Sequence, residues 1–112
     1  MELNLEGKME TRIEKNLRGD WSAETVVPYR DNLKLRVVTM KRSSGRLETF
    51  VSAITEERGM WTHRMYGDFS ALIESETVRV TERRVREQHA RAMSRVDDMV
   101  YSADLHYQQV EA

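Results

Sequence analysis

Residues 33–54 read LKLRVVTMKRSSGRLETFVSAI, and the period of this stretch decides the fold. Leu33, Leu35, Val37 and Thr39 alternate with Lys34, Arg36, Val38 and Met40. Beyond the break, Leu47, Thr49, Val51 and Ala53 alternate with Phe50, Ser52 and Ile54. Successive side chains of a strand point to opposite faces, so this period of two predicts two strands, each with one face on a core. The short SSG connection at 43–45 joins them, and its Gly45 supplies the positive φ that a bulged hairpin turn requires.

Working outward, EERG at 56–59 repeats the turn signal with Gly59, and MWTHRMY at 60–66 reads as a third strand before Gly67. DFSALIES at 68–75 suits one or two helical turns, with Asp68 as N-cap and Phe69, Leu72 and Ile73 on one side. ETVRV at 76–80 fits a fourth short strand ending at Thr81. Upstream, WSAETVV at 21–27 alternates Trp21, Ala23, Thr25 and Val27 and stops at Pro28, which suits an edge strand because proline has no N–H to donate. The first twenty residues carry two patterns. Met9, Ile13 and Leu17 followed by Gly19 suit a short helix, whereas Leu3, Leu5, Gly7, Lys8, Met9, Thr11 and Ile13 suit a hairpin.

From Thr81, an N-cap residue type, the period changes to that of a helix. Val85, His89, Ala92, Val96, Met99, Ala103, His106 and Val110 follow a four-three spacing, and Met93, Val100 and Tyr107 widen the stripe. One helix of this length spans roughly 37 Å, longer than a small sheet covers, so its far end is expected to pack on another surface. The chain therefore reads as one α+β domain: an N-terminal segment at 1–31, a small antiparallel sheet of three to five strands at 32–80, and a long C-terminal amphipathic helix at 81–108.

Composition narrows the function classes. The 112 residues contain no cysteine, which excludes disulfide scaffolds, thiol catalysis and thiolate metal sites. The N-terminus has no apolar h-region, and no stretch approaches the ~18 uninterrupted apolar residues of a membrane span, so a soluble, cytoplasmic protein without membrane contact is the expectation. His63, His89 and His106 lie far apart in sequence and form no HxxxH or HExxH spacing. His63 with Asp68 across a turn is the one pair worth testing for catalysis. No phosphate loop, nucleophile elbow or carboxylate pair stands out, and the reading is of no enzyme, no catalytic residues, no cofactor and no metal. The seven methionines suit core filling, with an adaptable partner surface as the alternative.

Charge is where a partner surfaces. The formal net charge is −1, yet residues 32–67 hold seven bases against three acids, and residues 79–95 hold six arginines against two glutamates. Residues 96–112 then hold four acids and no Lys or Arg. A helix dipole favours the reverse order, acids first and bases last. Three readings of the Arg84, Arg91, Arg95 row follow: a solvated face; an antiparallel homodimer whose basic half meets the acidic Asp97, Asp98, Asp104 half of its mate; or a phosphate contact. In the dimer reading His89, Ala92, Val96, Met99, Val100, Ala103 and Tyr107 form the partner-facing side. Lys41, Arg42 and Arg46 give the hairpin a basic tip able to track phosphates, and Trp61, His63, Arg64 and Tyr66 could present stacking faces, although core packing of that strand is the simpler account. The expectation is a non-enzymatic binding protein, a small regulator or inhibitor of a larger machine such as phage and mobile elements encode. It would act through protein contacts, as a homodimer. The alternative is a nucleic-acid-binding regulator using the tip and the arginine row.

Overall fold

The computed structural model describes residues 9–30, 33–57, 60–63 and 69–111. Its strands are β1 (Thr11–Lys15), β2 (Trp21–Arg30), β3 (Leu33–Lys41), β4 (Leu47–Glu57), β5 (Met60–His63) and β6 (Ser70–Glu76); two helices follow, α1 (Glu82–Met93) and α2 (Val96–Glu111). All pairings are antiparallel, in the order β1-β2-β3-β4. β5 pairs with the 54–57 end of β4 and β6 with its 47–52 end, so the two lie in line along one edge and occupy a single position in the sheet. The α+β architecture expected from the sequence is present, with β1 and β2 supplying the structure of the N-terminal segment that is described.

Two hairpins share one turn. At 42–46, the Arg42 N–H donates to the Arg46 carbonyl (2.9 Å) and the Gly45 N–H to the Arg42 carbonyl (2.8 Å), with Gly45 at φ +90°. At 16–20 the same pair of bonds forms between Asn16 and Asp20 and between Gly19 and Asn16, with Gly19 also at φ +90°. Asn16 adds its side-chain oxygen, which accepts from the Arg18 and Asp20 N–H groups at 2.9 Å each. Gly19 therefore closes a hairpin and not a helix, which overturns the helical pattern of Met9, Ile13 and Leu17; the other pattern, a hairpin turning at Gly7 and Lys8, falls on residues 1–8, outside the described residues. Against expectation, β2 is not an edge strand and does not stop at Pro28: it lies between β1 and β3 and runs to Arg30, with Pro28 beyond the last β1 partner (Thr11 opposite Thr25) and beside a register shift.

Of DFSALIES, Asp68 lies outside the described residues and residues 69–75 are not helical. Ser70–Glu76 is strand β6, because pairing with the open edge of β4 outweighs a local spacing that fits one helical turn. Leu72 lies opposite Phe50 and Glu74 opposite Thr49, so Ile73 is an extra residue in a β-bulge. The bulge reverses the phase of the strand: Ala71 and Ile73 pack on the core, and after it Glu74 and Glu76 turn to the same side. ETVRV likewise departs from expectation, since β6 ends at Glu76 and residues 77–81 are a connection, with Val78 and Val80 packing against Ala23, Leu47 and Val85.

The C-terminal helix starts where the sequence places it. Thr81 Oγ1 accepts from the Arg84 N–H at 3.2 Å as an N-cap. It does not run unbroken to residue 108. Ser94 Oγ donates to the Arg91 carbonyl (2.6 Å) and the Arg95 N–H bonds the Ala92 carbonyl three residues back (2.9 Å), a tight turn that ends α1 and releases α2. This break accounts for part of the reversed charge order. Glu82 lies in the first turn of α1 and Arg91 in its last, while Asp97 and Asp98 lie in the first turn of α2, placements worth roughly 0.3–1 kcal/mol per charge. Arg83 and Arg84 beside Glu82 still oppose the α1 dipole, and α2 has no base in its last turn.

The break also removes the need for an external surface under the far end. Met99, Ala103 and Tyr107 of α2 join Ala92 of α1 over Val27, Leu33, Leu35, Val37, Val51, Ala53 and Phe69, all at most 7% exposed. Each fully buried Val or Leu contributes about 1.5–3 kcal/mol of transfer free energy. Tyr29 ties the second helix down by donating to Asp104 at 2.5 Å; burial and this bond push its phenol up to about 12. Asp97→Lys with Asp98→Lys is expected to lower the urea-unfolding free energy by about 1 kcal/mol, since both charges then oppose the α2 dipole. In an unbroken helix these positions are central and the change would be close to neutral.

Candidate functional site

A layer of polar side chains crosses the interior between two apolar clusters. On one side lie Ala23, Leu47 and Val85, on the other the larger core built around Val37, Val51 and Ala92. Between them, each of three central strands contributes a threonine, Thr25, Thr39 and Thr49, and α1 contributes Gln88 and His89; all five are at most 3% exposed. The His89 ring bridges Thr25 Oγ1 (2.7 Å from Nε2) and Thr39 Oγ1 (2.8 Å from Nδ1). Thr39 meets Thr49 at 2.6 Å, Thr49 meets Gln88 Oε1 at 2.6 Å, and Thr25 meets Thr11 at the sheet edge at 2.6 Å.

Donor counting fixes the direction of every bond in this chain. Gln88 Nε2 lies 3.0 Å from the Leu47 carbonyl and 2.9 Å from a Glu76 carboxylate oxygen; both only accept, so the nitrogen end of the amide is there. The amide oxygen therefore takes the single proton of Thr49, Thr49 accepts from Thr39, and Thr39 accepts from His89. Neutral His89 thus carries its proton on Nδ1, and its Nε2 accepts from Thr25, which accepts from Thr11. Burial holds the ring neutral, lowering its pKa from 6.5 to about 4.

The row Arg91 and Arg95 meets acids, but of its own chain. Arg91 donates to Glu74 (2.7 Å) and Glu76 (3.0 Å), and Arg95 to Glu74 (3.0 Å). The bulge at Ile73 is what presents these carboxylates to α1. The Gln88 amide, aided by Arg91, holds the Glu76 carboxyl below the usual range, and the bond to Glu74 raises Arg91. Arg84 is exposed near Glu76 and makes no ion pair among the described residues. Arg46 lies across the sheet from the row: it donates to Ser75 Oγ (2.6 Å) and to Thr77 Oγ1, and Ser75 in turn donates to Glu48.

The proposed partner-facing stripe is internal. His89, Ala92, Met99, Ala103 and Tyr107 are at most 4% exposed beneath the helices, and Val96 and Val100 pack against the same core. None of the seven forms a free face for a second helix, because the break at Ser94 lets both helices use that stripe on the sheet. His106 stacks near Phe69 (5.8 Å) and edge-on to Tyr107 (4.9 Å). The His63–Asp68 pair and the side chains of Trp61, Arg64 and Tyr66 lie outside the described residues.

The opposite face of the sheet carries the side chains that alternation sends away from the helices. Here Val38 pairs with Phe50 and Phe50 with Leu72, aligning three apolar residues across three strands. Val38 is buried in this face, Phe50 is half-buried and Leu72 is 60% exposed. The Arg42 guanidinium lies over the Phe50 ring at 4.8 Å, beside exposed Lys41. A groove of about 200 Å3 opens next to this row over Val38 and Met40, walled by Arg12, Glu24, Arg36 and Lys41. Glu24 bridges Arg12 (2.6 Å) and Arg36. The sequence shows Val38, Met40 and Phe50 on this face; Leu72 joins them only through pairing with β4.

Among the described residues no group of three or more histidines and carboxylates is placed to hold a metal ion, and no helix is long and apolar enough to cross a membrane. No family model, curated protein or solved structure matches the chain.

The buried histidine has a measurable signature. The unfolded chain protonates this side chain near pH 6.5 and the folded one only near 4, so its contribution is complete above pH 6.5 and is lost as pH falls through that window. The loss is on the order of 3 kcal/mol. His89→Leu is expected to be less stable at pH 7 by about 1–3 kcal/mol, because the Thr25 and Thr39 hydroxyls lose a partner, and to show a flatter fall toward pH 4. Urea unfolding of both proteins across this range gives the comparison; parallel curves would contradict the neutral, buried ring.

Proposed function

We propose that this protein is a non-enzymatic binding protein, a small regulator that acts by protein contact through the exposed part of its sheet around Phe50 and Leu72. The observation that carries the reading is the pair Phe50 and Leu72, in register on neighbouring strands, with Leu72 60% exposed and the Arg42 guanidinium over the Phe50 ring. Phenylalanine and arginine are enriched in protein interfaces, and arginine among their energetically dominant positions. His89, the buried histidine among the described residues, is held in the direction-fixed chain from Thr11 to Gln88, which supports a structural role for it. A photo-crosslinking amino acid at Leu72, compared with one at the exposed Arg83 on α1, tests the surface in cells. The expected result is a discrete protein adduct from position 72 that Arg42→Glu reduces at least tenfold; no adduct from position 72 would overturn the reading.

A second reading has its own support. Lys41, Arg42, Ser43 and Ser44 are all exposed at the end of the β3–β4 ribbon, a shape and charge that can track phosphates, whereas Arg91 and Arg95 are engaged by Glu74 and Glu76. Duplex and single-stranded oligonucleotides titrated at two salt concentrations by fluorescence anisotropy separate the two. Nucleic-acid contact predicts affinity falling steeply with salt and a shallower slope for Lys41→Ala with Arg42→Ala. Salt-independent or absent binding leaves protein contact.

A further inference from the structure

Among the described strands β6 pairs with β4 alone, so one side of its backbone faces outward from the sheet. The Ala53 N–H donates to the Phe69 carbonyl at 2.9 Å, which fixes the phase of this ladder. Ala71, opposite Val51, turns its N–H and C=O toward β4, whereas Ser70 and Leu72 turn theirs away from it. Ser70 and Leu72 are also the exposed residues of the strand. Sheet edges are ordinarily protected by charge, proline or a bulge. Residues 70–72 hold neither charge nor proline, and the bulge comes only after them, at Ile73.

A groove of about 170 Å3 runs between this edge and α2. Three consecutive residues of β6, Ala71, Leu72 and Ile73, line it, so one wall is the edge of the strand and not one of its faces. Asp98, Met99 and Ser102 form the other wall at helical spacing. Arg95 at the rim is engaged by Glu74, whereas exposed Asp98 makes no ion pair among the described residues. The unmatched charge of the groove is therefore negative.

We infer that an extended segment of another protein adds to β6 as a further strand, with an apolar side chain in the groove and a lysine or arginine against Asp98. The inference rests on the reading of the surface around Leu72 as the contact, and names the mode and chemistry of its partner. Strand addition draws affinity from main-chain bonds, here to Ser70 and Leu72, and specificity from alternate side chains. The residue opposite Ala71 points to the helix side, as Ala71 does, and enters the groove. The next residue on that side lies two positions away, which places the apolar residue and the base two apart. The bulge at Ile73 interrupts regular pairing, so the segment is short. Antiparallel pairing of β6 with β6 of a second copy would instead bring like charges, Asp98 with Asp98, to the same side of the joined sheet.

The test pans a phage-displayed library of short random peptides on the folded full chain and titrates a synthetic copy of an enriched sequence by calorimetry. Enriched sequences should carry an apolar residue and a Lys or Arg two positions apart, and the bound peptide should slow hydrogen exchange at the Ser70 and Leu72 amides. Leu72→Pro removes one outward N–H without touching the β4 ladder and should weaken binding at least tenfold. Leu72→Ala, which keeps that N–H, should weaken it less, and Asp98→Lys should weaken it several-fold. No enrichment, enrichment without this pattern, or unchanged exchange at both amides would each overturn the inference; the exchange result, obtained on the wild-type chain, stands even if Leu72→Pro fails to fold. A wild-type chain that sediments as a dimer and is made monomeric by Leu72→Pro would overturn it in favour of a second copy. An adduct to another protein from position 72 with no enriched peptide overturns strand addition while leaving the contact surface in place; absence of both overturns both.

Discussion

The register of the three central strands against α1 depends on one buried layer, in which His89 and Gln88 accept and donate between Thr25, Thr39 and Thr49. An apolar core tolerates sliding as long as volume is conserved, but a hydroxyl left unpaired in the interior costs about 1–3 kcal/mol. A slip of one residue in β2, β3 or β4 would send its threonine to the opposite face, and a slip of two would place it against an aliphatic side chain. The layer therefore specifies register on three strands and rotation on α1 together. This is a case in which buried polarity contributes more to uniqueness of structure than to net stability.

The electrostatics of the helical region follow from two small irregularities. One extra residue, Ile73, turns Glu74 and Glu76 toward α1, where Arg91 and Arg95 lie. One serine hydroxyl, at position 94, bonds back to the helix and divides it. Exposed pairs such as Arg91–Glu74 are worth at most about 1 kcal/mol each, so their role is less to hold the fold than to neutralise the arginines that the helix carries beside a strand edge. Among the described residues, Lys41 and Arg42 at the hairpin tip and Asp97 and Asp98 on α2 make no ion pair.

Much of the fold was legible in the sequence because it is encoded locally. Alternation from Leu33 to Ile54 gives both strand faces correctly, Gly45 occupies the positive φ that the turn requires, and Thr81 caps the helix. β6 was not legible, because its conformation comes from the edge of a strand twenty residues away and its spacing alone fits a helical turn. The helix break left a trace in the order of charges: Arg91 and Arg95 followed by Asp97 and Asp98 mark the end of one dipole and the start of another. Among site residues, the threonines were visible as polar members of an apolar set, but their common partner His89 requires knowing which way the helix lies. The apolar stripe was read correctly as a stripe and assigned the wrong neighbour, since amphipathicity states that a face is covered and not what covers it.

The order of these elements along the chain has a consequence for synthesis. The sheet strands leave the ribosome before α1 and α2, so for part of translation a broad β surface stands without the helices that will cover it. Uncovered sheet surface of that kind is prone to association between nascent chains. The threonine on each of three strands interrupts that surface with groups that water can solvate until His89 and Gln88 arrive. The same hydroxyls that later fix the register thus keep the unfinished sheet from being a continuous apolar plane.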